Sequence, residues 1–557
     1  MISKIFRAVA IAAVSLVFAS CAKLPLILVE QVGPEISTGN KGESLYYSPS
    51  APSLGSNQEE IINGFLYAGN GPQNDYSIAR KYLTVSNSSK WHPSTETLIQ
   101  SGQAVVLANS GTRIRVKINF DARVDENGIY SSEPGSSRIL EFRLLQENGE
   151  WRISSAPNLT SLVAPNFAVL FKAVPVYFWD QSFSYLVPDL RWFPTRASLA
   201  TKLTNALLTG PSQWLSSAVQ NIFPIGTKLN INSVTVENGT AAIDLNATAL
   251  KVPAWKRPYL RSQILATLGS VEGVTQVSIS VERTVQSIGS GASGIPESTS
   301  TLPVVLTEAG LSHIAGLSLF EINGTKQLVS KQAASQFALS SDESLVALLG
   351  GGSVYSYTLD TLNKAGRLID NRAGLNNPSV GPFNEVWTST SRAGSELRIT
   401  DVDGTVVSLP NPFGFSAAIR SLALSAEGSR VAIVHDPVRG VSVDVYAVVR
   451  DKNRKVIGLG SHLAISDFGP HAKTISWVDH TSLVSFFTDS VGFQTALEVK
   501  VGGPKSVGTR TIQGSAVVTV PGGTRYYLDS SGNLFASKSF GWDRLRAGVL
   551  ALRMAGQ

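Results

Sequence analysis

The sequence predicts a multidomain protein in which two domains that mix helices and strands precede an all-β ring. Three observations support this prediction. At roughly 150 residues per domain, a chain of 557 residues has room for about three or four domains. Hydrophobic residues make up 43% of the chain and charged residues 16%, which is typical of folded globular material. The spacing of apolar residues also changes along the chain, from a helical period to a period of two, and the last part repeats.

The first twenty residues have the form of a processing signal. Lys4 and Arg7 give a positively charged start, and the apolar stretch that follows is shorter than the roughly 20 residues that cross a bilayer. Cys21 comes next and is the single cysteine of the sequence, so it has no partner for an internal disulfide or a CxxC site. Its position needs another explanation.

The triplet Phe18-Ala19-Ser20 before Cys21 resembles a bacterial lipobox. This resemblance implies that residues 1–20 are a lipoprotein signal peptide and that the thiol of Cys21 is acylated before it becomes the mature N-terminus. An ordinary secretory signal with an incidental cysteine is the alternative. Two or more acyl chains anchor a protein stably, so we expect a protein held on a membrane outside the cytoplasm, with residues 21–39 as a tether.

Residues 40–165 are predicted to form an α+β domain. Asn57 and Glu60 have the spacing of a capping box at the start of a helix. Apolar and polar residues then alternate as in half-buried strands, and Asn127-Gly128 and Asn148-Gly149 are typical of tight hairpin turns. Helices followed by an antiparallel sheet suggest a cone-like NTF2 fold.

Residues 172–285 are predicted to form a compact α/β sandwich. Thr195 is placed to cap a helix that ends at Gly210-Pro211, and Asn238-Gly239 predicts a hairpin. A second helix and a strand complete the unit. The apolar face of the first helix consists of Leu199, Leu203, Ala206 and Leu207.

A stretch rich in Gly, Ser and Thr, residues 286–303, follows this domain. Gly289, Gly291 and Gly294 stand in the GxGxxG order of nucleotide-binding loops. That fingerprint works only where it opens a helix, whereas Pro296 and the Ser/Thr run predict a flexible linker. No nucleotide or other cofactor is therefore predicted.

The remaining residues, 304–557, contain a repeat. The segment "FALSSDESLVALL" begins at residue 337 and "LALSAEGSRVAIV" at residue 422, with weaker copies that start near residues 380, 475 and 517. A period of roughly 40–45 residues with several strands per unit indicates a β-propeller. Five repeats can be counted, and five or six blades remain open. Residues 317–329 are expected to complete the last blade and close the ring.

Motifs that carry catalysis are scarce. The spacing of His462, His471 and His480 is no ligand period on a strand or a helix, so no metal site is predicted. Asp401 and Asp403 lack the third ligand of a calcium loop and fit a hairpin turn. The basic residues are scattered without a stripe for nucleic acid. The formal net charge of +6 is interpreted as a solvated surface, with contact to anionic lipid or wall polymer as the alternative. A non-catalytic protein is the better interpretation.

Five segments point to a known family. They are "IINGFLYAGNGPQNDYSIARKYLTVSNSSKWHPS" (61–94), "NGEWRISSAPN" (148–158), "LVPDLRWFP" (186–194), "LLTGPSQWLSSAV" (207–219) and "GTAAIDL" (239–245). These segments resemble the actinobacterial lipoprotein LpqB family, and residues 172–285 resemble the GerMN domain, first named from a spore-germination lipoprotein. Members of the family are linked to the MtrA–MtrB two-component system. The resemblance implies a lipoprotein that contacts the extracytoplasmic sensor of the kinase MtrB and affects envelope homeostasis and cell division. Cys21 alone carries over as a functional residue.

Two classes of function therefore compete. The first is an anchored accessory partner of a sensor histidine kinase, for which Trp192 and Trp214 are candidate partner-binding residues because large rigid side chains dominate interface energy. Either tryptophan could equally be a core residue. The second class is an envelope glycan-binding protein or hydrolase that uses the funnel of the propeller. Because no acid/base or nucleophile constellation is evident, the first class is favoured.

Overall fold

The computed structural model describes most of the chain beyond the predicted tether. The predicted signal peptide (1–20) and the predicted tether (21–39), which includes Cys21, lie outside the described residues, so the signal peptide and lipidation at Cys21 stay predictions. The described residues are 49–195, 198–294, 302–359, 366–438, 440–488, 493–505, 508–511, 513–520, 523–539 and 541–557.

The first domain packs helices against one face of a six-stranded sheet. The side chain of Asn57 accepts a hydrogen bond from the Glu60 backbone and the Glu60 side chain accepts one from the Asn57 backbone, which confirms the predicted capping box. Phe65 of the first helix packs against Trp91 and Phe142 in the core. The elements are α1 Gln58–Ala68, α2 Ser77–Arg80, α3 Val85–Ser88, β1 Glu96–Gln100, β2 Val105–Asn109, β3 Arg113–Asp125, β4 Tyr130–Glu147, β5 Glu150–Ser155, β6 Thr160–Val163 and α4 Ala164–Leu170.

The strand order of this sheet is β5-β4-β3-β1-β6, with β2 also paired to β3. All pairs are antiparallel except β1 with β6. Both predicted hairpin turns are present: Gly128 has a φ of +78°, and Asn148 and Gly149 have φ values of +55° and +81°. The long hairpin of β3 and β4 carries the Asn127-Gly128 turn to the second domain.

The second domain is an α/β sandwich of two small sheets around two helices. The sheets have the orders β8-β7-β9 and β10-β11-β12-β13, and β11 runs parallel to β12. The predicted hairpin at Asn238-Gly239 joins β10 and β11. The elements are β7 Phe171–Asp180, β8 Leu186–Pro194, α5 Leu199–Thr209, β9 Val219–Gln220, β10 Thr235–Glu237, β11 Thr240–Leu245, α6 Arg257–Leu268, β12 Gln276–Val281 and β13 Thr284–Val285.

The predicted helix of this domain begins later than the sequence indicates. Ser198, not Thr195, occupies the N-cap position of α5, and no side chain caps the helix. The backbone N–H of Thr195 instead donates to the carbonyl of Leu170, because the chain is still leaving β8 at that point. The apolar face agrees with the prediction, since Leu203, Ala206 and Leu207 are buried.

Six four-stranded sheets follow in the described part of the chain, and we number them as blades. Blade 1 holds β14 Val304–Thr307, β15 Gly310–Ala315 and β16 Ser318–Glu321, followed by α7 Thr325–Gln332. Blades 2 and 3 are β17 Ala334–Leu339, β18 Leu345–Gly350, β19 Ser353–Thr358, β20 Arg367–Asp370, β21 Ser379–Val380, β22 Val386–Thr388, β23 Leu397–Thr400 and β24 Val406–Leu409. Blades 4, 5 and 6 are β25 Ile419–Leu424, β26 Arg430–Val438, β27 Val441–Arg450, β28 Val456–Ala464, β29 Ile475–Trp477, β30 Ser482–Thr488, β31 Gln494–Lys500, β32 Thr509–Thr511, β33 Gly514–Thr519, β34 Arg525–Asp529, β35 Leu534–Lys538 and β36 Gly541–Arg546.

The last strand, β37 Ala551–Arg553, returns to blade 1 and pairs with β14 as its innermost strand. The inner strands β37, β17, β21, β25, β29 and β33 contact one another in cyclic order, so the sheets form a six-bladed propeller. The closing strand differs from the prediction. Residues 317–329 supply only the outer strand β16 and the start of α7, whereas β37 joins the two ends of the ring and removes its open edge.

The three domains pack against one another. Tyr185 of the second domain contacts Phe383 of blade 3, with 5.6 Å between ring centroids, and Ser132 of the first domain lies 3.2 Å from Ser466 of the ring. All described residues from Pro49 to Gln557 belong to one compact unit. The ring is therefore attached to the first two domains by folded contacts as well as by the chain.

Candidate functional site

A cavity of about 360 Å³ lies where the three domains meet. The first domain contributes residues of the β3–β4 hairpin, the second contributes β8 and the turn after α5, and the ring contributes blades 4 and 5. Small-molecule sites commonly have such volumes and positions. The polar and aromatic residues that line it are Tyr130, Ser131, Asp189, Ser212, Gln213, Trp214, Arg430, Ser461, His462 and Thr481.

Trp192, a candidate partner-binding residue, lies beneath this junction. It is only 6% exposed and packs against Phe167, with 5.2 Å between ring centroids. Its backbone N–H donates to Gly128 of the first domain, and its indole N–H donates to the carbonyl of Gly502 in the ring, at 2.8 Å. The prediction required an exposed side chain and is corrected here, because Trp192 is covered by the chain's own neighbouring domains.

Trp214, the second candidate, follows α5 and is half-buried. It packs against the core of the second domain and also against the cluster that joins blades 4 and 5. Part of its surface lines the cavity. Trp214 therefore packs at the interface between the second domain and the ring, which belong to the same chain.

Strand β8 places a buried ion pair on one side of the cavity. Arg191 and Asp189 are 1% and 3% exposed, and their side chains are joined by a hydrogen bond of 2.7 Å. The Asp189 carboxylate also accepts from the backbone N–H and the hydroxyl of Ser212, while Arg191 donates to the carbonyls of Asn127 and Gly210. Buried charges require such partners, and these partners tie the hairpin of the first domain to the second.

A second buried ion pair lies on the ring side. Arg430 donates to the Glu427 carboxylate at 2.7 Å and to the carbonyl of His480, and its guanidinium lies 4.6 Å from the Trp477 ring. Burial by itself would raise the pKa of Glu427, but Arg430 outweighs it and holds the pKa below its ordinary value. Burial raises the pKa of Tyr177 in the second domain. The charge of Arg430 opposes this rise, and the charge of Glu427 adds to it.

The two charged groups that line the cavity are each paired, Asp189 with Arg191 and Ser212, and Arg430 with Glu427. Both oxygens of Asp189 accept hydrogen bonds, and the His462 ring packs on Tyr446 with 5.0 Å between centroids. Within the described residues, no hydrogen bond joins a cavity hydroxyl to His462. The contacts of Asp189 with Ser212 and Arg191, and those of Arg191 with Asn127 and Gly210, tie β8 to the turn after α5 and to the first domain.

The other residues considered for chemistry lie apart from the cavity centre. In the described part of the chain, no group of three or more His, Cys, Asp or Glu side chains is placed to hold a metal ion. His480 contributes a backbone carbonyl to Arg430, and the His471 side chain lies outside what is described. Asp401 and Asp403 form the hairpin turn that the sequence indicates, and Lys455 lies 4.0 and 3.5 Å from their carboxylates.

The chain itself crosses one mouth of the ring. From β37 of blade 1, the Arg553 guanidinium donates to the carbonyl of Pro378 in blade 3, and the Gly556 N–H donates to Leu339 in blade 2. The Gln557 side chain forms two hydrogen bonds with the backbone of Trp477 in blade 5. Burial lowers the pKa of Arg553 to about 10. This mouth, which also faces the second domain, is filled by residues 553–557.

The first half of the predicted linker is packed. The Ser262 hydroxyl donates to the carbonyl of Ala292 at 2.7 Å, and the backbone N–H of Leu186 donates to Gly294 at 2.6 Å. Residues 286–294 contain no helix, so the three glycines do not open a nucleotide-binding turn. Residues 295–301 lie outside the described residues.

Sequence models of three protein families match the chain. They are the N-terminal domain of lipoprotein LpqB over residues 51–168, the sporulation and spore germination family over residues 175–286, and the beta-propeller domain of lipoprotein LpqB over residues 283–551. The order of these matches agrees with the order of the three domains described above.

Curated relatives agree with these matches. A lipoprotein LpqB from Bifidobacterium longum is 25% identical over 470 residues, which cover 80% of this chain and 77% of that protein. The LpqB of Cutibacterium acnes is 26% identical over 237 residues, which cover 42% of this chain and 40% of that one. Among solved structures, the first GerMN domain of the sporulation protein GerM from Bacillus subtilis is 19% identical, covers 22% of this chain and 93% of that domain, and has a TM-score of 0.19.

An α+β domain, a GerMN domain and a six-bladed propeller, packed into one compact unit, define a class of multidomain proteins. Of the helices that the structure describes, none has the length and apolar run that a membrane crossing needs. The family models match nearly the whole of the described chain in this order. The chain belongs to the LpqB lipoprotein family.

Proposed function

We propose that the protein is anchored through acylated Cys21 to the extracytoplasmic face of the cell membrane. There it binds the extracytoplasmic domain of a sensor histidine kinase similar to MtrB, as an accessory partner in envelope homeostasis and cell division. Two partners tethered to one bilayer meet at a high effective concentration, so a small contact surface is sufficient.

Membership of a lipoprotein family supports the anchor. Cys21 is the single cysteine of the sequence, and it follows a short apolar stretch with a positively charged start. We expect Cys21→Ser to abolish acylation and to leave the protein unprocessed or shed from the membrane. Fractionation of cells followed by mass measurement tests this, and a shortened, acylated mutant in the membrane fraction would contradict it.

The observation that carries the binding role is the pairing of charges at the domain junction. Asp189 with Arg191 and Glu427 with Arg430 are buried and bonded to one another, so they rigidify the body instead of forming a reaction centre. A rigid body of three domains offers a large composite surface without internal rearrangement. Such a surface suits a protein partner better than a small substrate.

The alternative, an envelope glycan-binding protein or hydrolase, requires an accessible propeller funnel. Residues 553–557 fill the mouth that faces the second domain, which counts against this function at that mouth. A cell-wall polymer could still bind elsewhere on the surface.

The test is direct binding of the purified kinase ectodomain to the mature chain with Cys21→Ser, because this variant is free of acyl groups. We expect a saturable complex by analytical ultracentrifugation, with soluble wall glycan as a competitor in a parallel series. Binding of glycan without binding of the ectodomain would contradict the kinase partner and favour the alternative. Crosslinking in intact cells followed by mass spectrometry supplies the second measurement.

A further inference from the structure

A surface segment of the second domain, made of the short 3₁₀ helices Ala247–Lys251 and Ala254–Lys256, exposes several apolar side chains. Leu250 and Trp255 are 53% and 59% exposed, and Pro253 and Ala254 between them are also exposed. Val252 points inward and is 3% exposed, so it fixes the loop to the domain core. We call residues 250–255 the Leu250–Trp255 loop.

The indole of Trp255 packs against two other side chains of the second domain. It meets the Phe183 ring edge-on, with 5.6 Å between centroids, and the Lys256 ammonium lies 5.2 Å from both rings. Phe183 itself has a φ of +55° and is fixed by a turn in which Asp180 accepts from two following backbone N–H groups. The packing on Phe183 therefore holds the exposed face of the Trp255 ring in a defined position.

The loop is flanked by cations. Lys251 and Arg257 are exposed, and Lys256 is half-buried. No Asp or Glu occurs in residues 246–271, and within the described residues none of these three cations forms an ion pair. One carboxylate from elsewhere contacts this segment, since Glu282 accepts from the backbone N–H of Ala247 at 3.3 Å. The three cations outnumber it, so a net positive charge remains around the loop.

An exposed tryptophan and leucine between unpaired cations match the chemistry of an anionic lipid surface. Tryptophan prefers the depth of the headgroups, and lysine or arginine beside it is attracted to anionic lipid. We propose that the Leu250–Trp255 loop docks on anionic lipid headgroups and thereby fixes one face of the protein against the bilayer. The proposal rests on the membrane anchoring proposed above, because a tether makes a weak headgroup contact effective.

The experiment uses the mature chain with Cys21→Ser, which has no acyl anchor. We measure its sedimentation with vesicles of phosphatidylcholine alone and with an equimolar mixture of phosphatidylglycerol and phosphatidylcholine. We expect binding to the anionic vesicles, a decrease with added salt, and a blue shift of the Trp255 emission, taken as the difference from Trp255→Phe.

Three variants locate the contact. Trp255→Ser and Lys251→Glu/Arg257→Glu are each expected to lower the partition constant on anionic vesicles about tenfold, and Trp255→Phe to lower it less. The matched controls are Phe415→Ser, which removes an aromatic side chain that is 89% exposed on the ring, and Lys90→Glu/Lys228→Glu, which reverses two exposed charges elsewhere. The controls should bind within a factor of about two of the parent chain.

Equal sedimentation with both vesicle types, or undiminished binding by Trp255→Ser, would overturn the proposal. Loss of kinase-ectodomain binding in Trp255→Ser with vesicle binding intact would also overturn it and would make the loop a protein interface. Because the vesicle assay contains no kinase, its failure leaves the kinase partner to be judged by its own binding experiment.

Discussion

Two tryptophans of the second domain, Trp192 and Trp255, lie in opposite environments. Trp192 on β8 is 6% exposed and contacts both neighbouring domains. Trp255 before α6 is 59% exposed and packs against Phe183, Tyr259 and Lys256 of its own domain. An argument from residue type alone treats the two alike. The comparison teaches that a tryptophan indicates an interface, but the surrounding chain decides whether the partner is internal.

The neighbours on β8 explain the buried case. Asp189 and Arg191 make "LVPDLRWFP" look like a strand with one polar face, yet all nine residues of β8 are buried. The charges are tolerated there because Ser212, Asn127 and Gly210 supply their hydrogen bonds. These partners come from elsewhere in the sequence, so no local pattern identifies them.

The sharpest way to test the comparison is to remove the buried ring. We expect Trp192→Ala to lower the free energy of unfolding by about 4 kcal/mol, because it leaves a cavity and an unpaired carbonyl at Gly502. Urea denaturation followed by circular dichroism measures this. A loss below about 1 kcal/mol would mean that the three domains do not depend on this contact.

The second largest loss of stability is expected when the buried ion pair of Glu427 and Arg430 is broken. Glu427→Gln leaves Arg430 buried without its counter-charge, and we expect a destabilisation of about 3 kcal/mol at neutral pH. Glu396→Gln is the control, since Glu396 and Arg398 form a pair with side chains 39% and 34% exposed and should contribute about 0–1 kcal/mol. Similar losses in both variants would contradict a special role for the buried pair.

The same pair predicts a dependence on pH. The pKa of Glu427 is lowered by folding, so the pair stabilises the protein above the ordinary carboxyl value of 4.5, and this contribution is lost as the pH falls through the lowered pKa. Glu427→Gln should therefore differ from the parent most near neutral pH and converge with it in acid. Thermal melts across this range provide the measurement.

Much of this architecture can be predicted from the sequence, because its signals are local or periodic. The capping box at Asn57, the Asn-Gly turns and the repeat of the ring depend on nearby residues or on a regular interval. The junction could not be predicted in this way. One signal was available: Glu343, Glu385 and Glu427 recur 42 residues apart in the ring. Glu385 and Glu427 form buried ion pairs with arginine, and Glu343 lies 3.1 Å from the His313 ring nitrogen.

A smaller loss of stability is expected from substituting two glycines that both have a positive φ. Gly128 and Gly149 both end Asn-Gly turns with positive φ, but a Cβ at Gly128 would lie 2.8 Å from the Phe193 ring, whereas a Cβ at Gly149 meets nothing within 4 Å. We expect Gly149→Ala to cost about 1 kcal/mol from backbone strain alone, and Gly128→Ala about 2 kcal/mol because it also disturbs the contact with β8. Equal losses in urea denaturation would show that the turn does not depend on domain contact.

The smallest effect is expected at the exposed tryptophan. Trp255→Ser removes a ring whose outer surface already meets solvent and whose aromatic neighbour Phe183 keeps its contact with Tyr259. We therefore expect the free energy of unfolding to change by less than about 0.5 kcal/mol, the usual range for surface substitutions, while the loss for Trp192→Ala is at least about eight times larger. Parallel urea curves of the two variants measure the contrast. A large loss for Trp255→Ser would place this residue with the structural tryptophans, and a neutral result leaves its exposed surface free for an external partner.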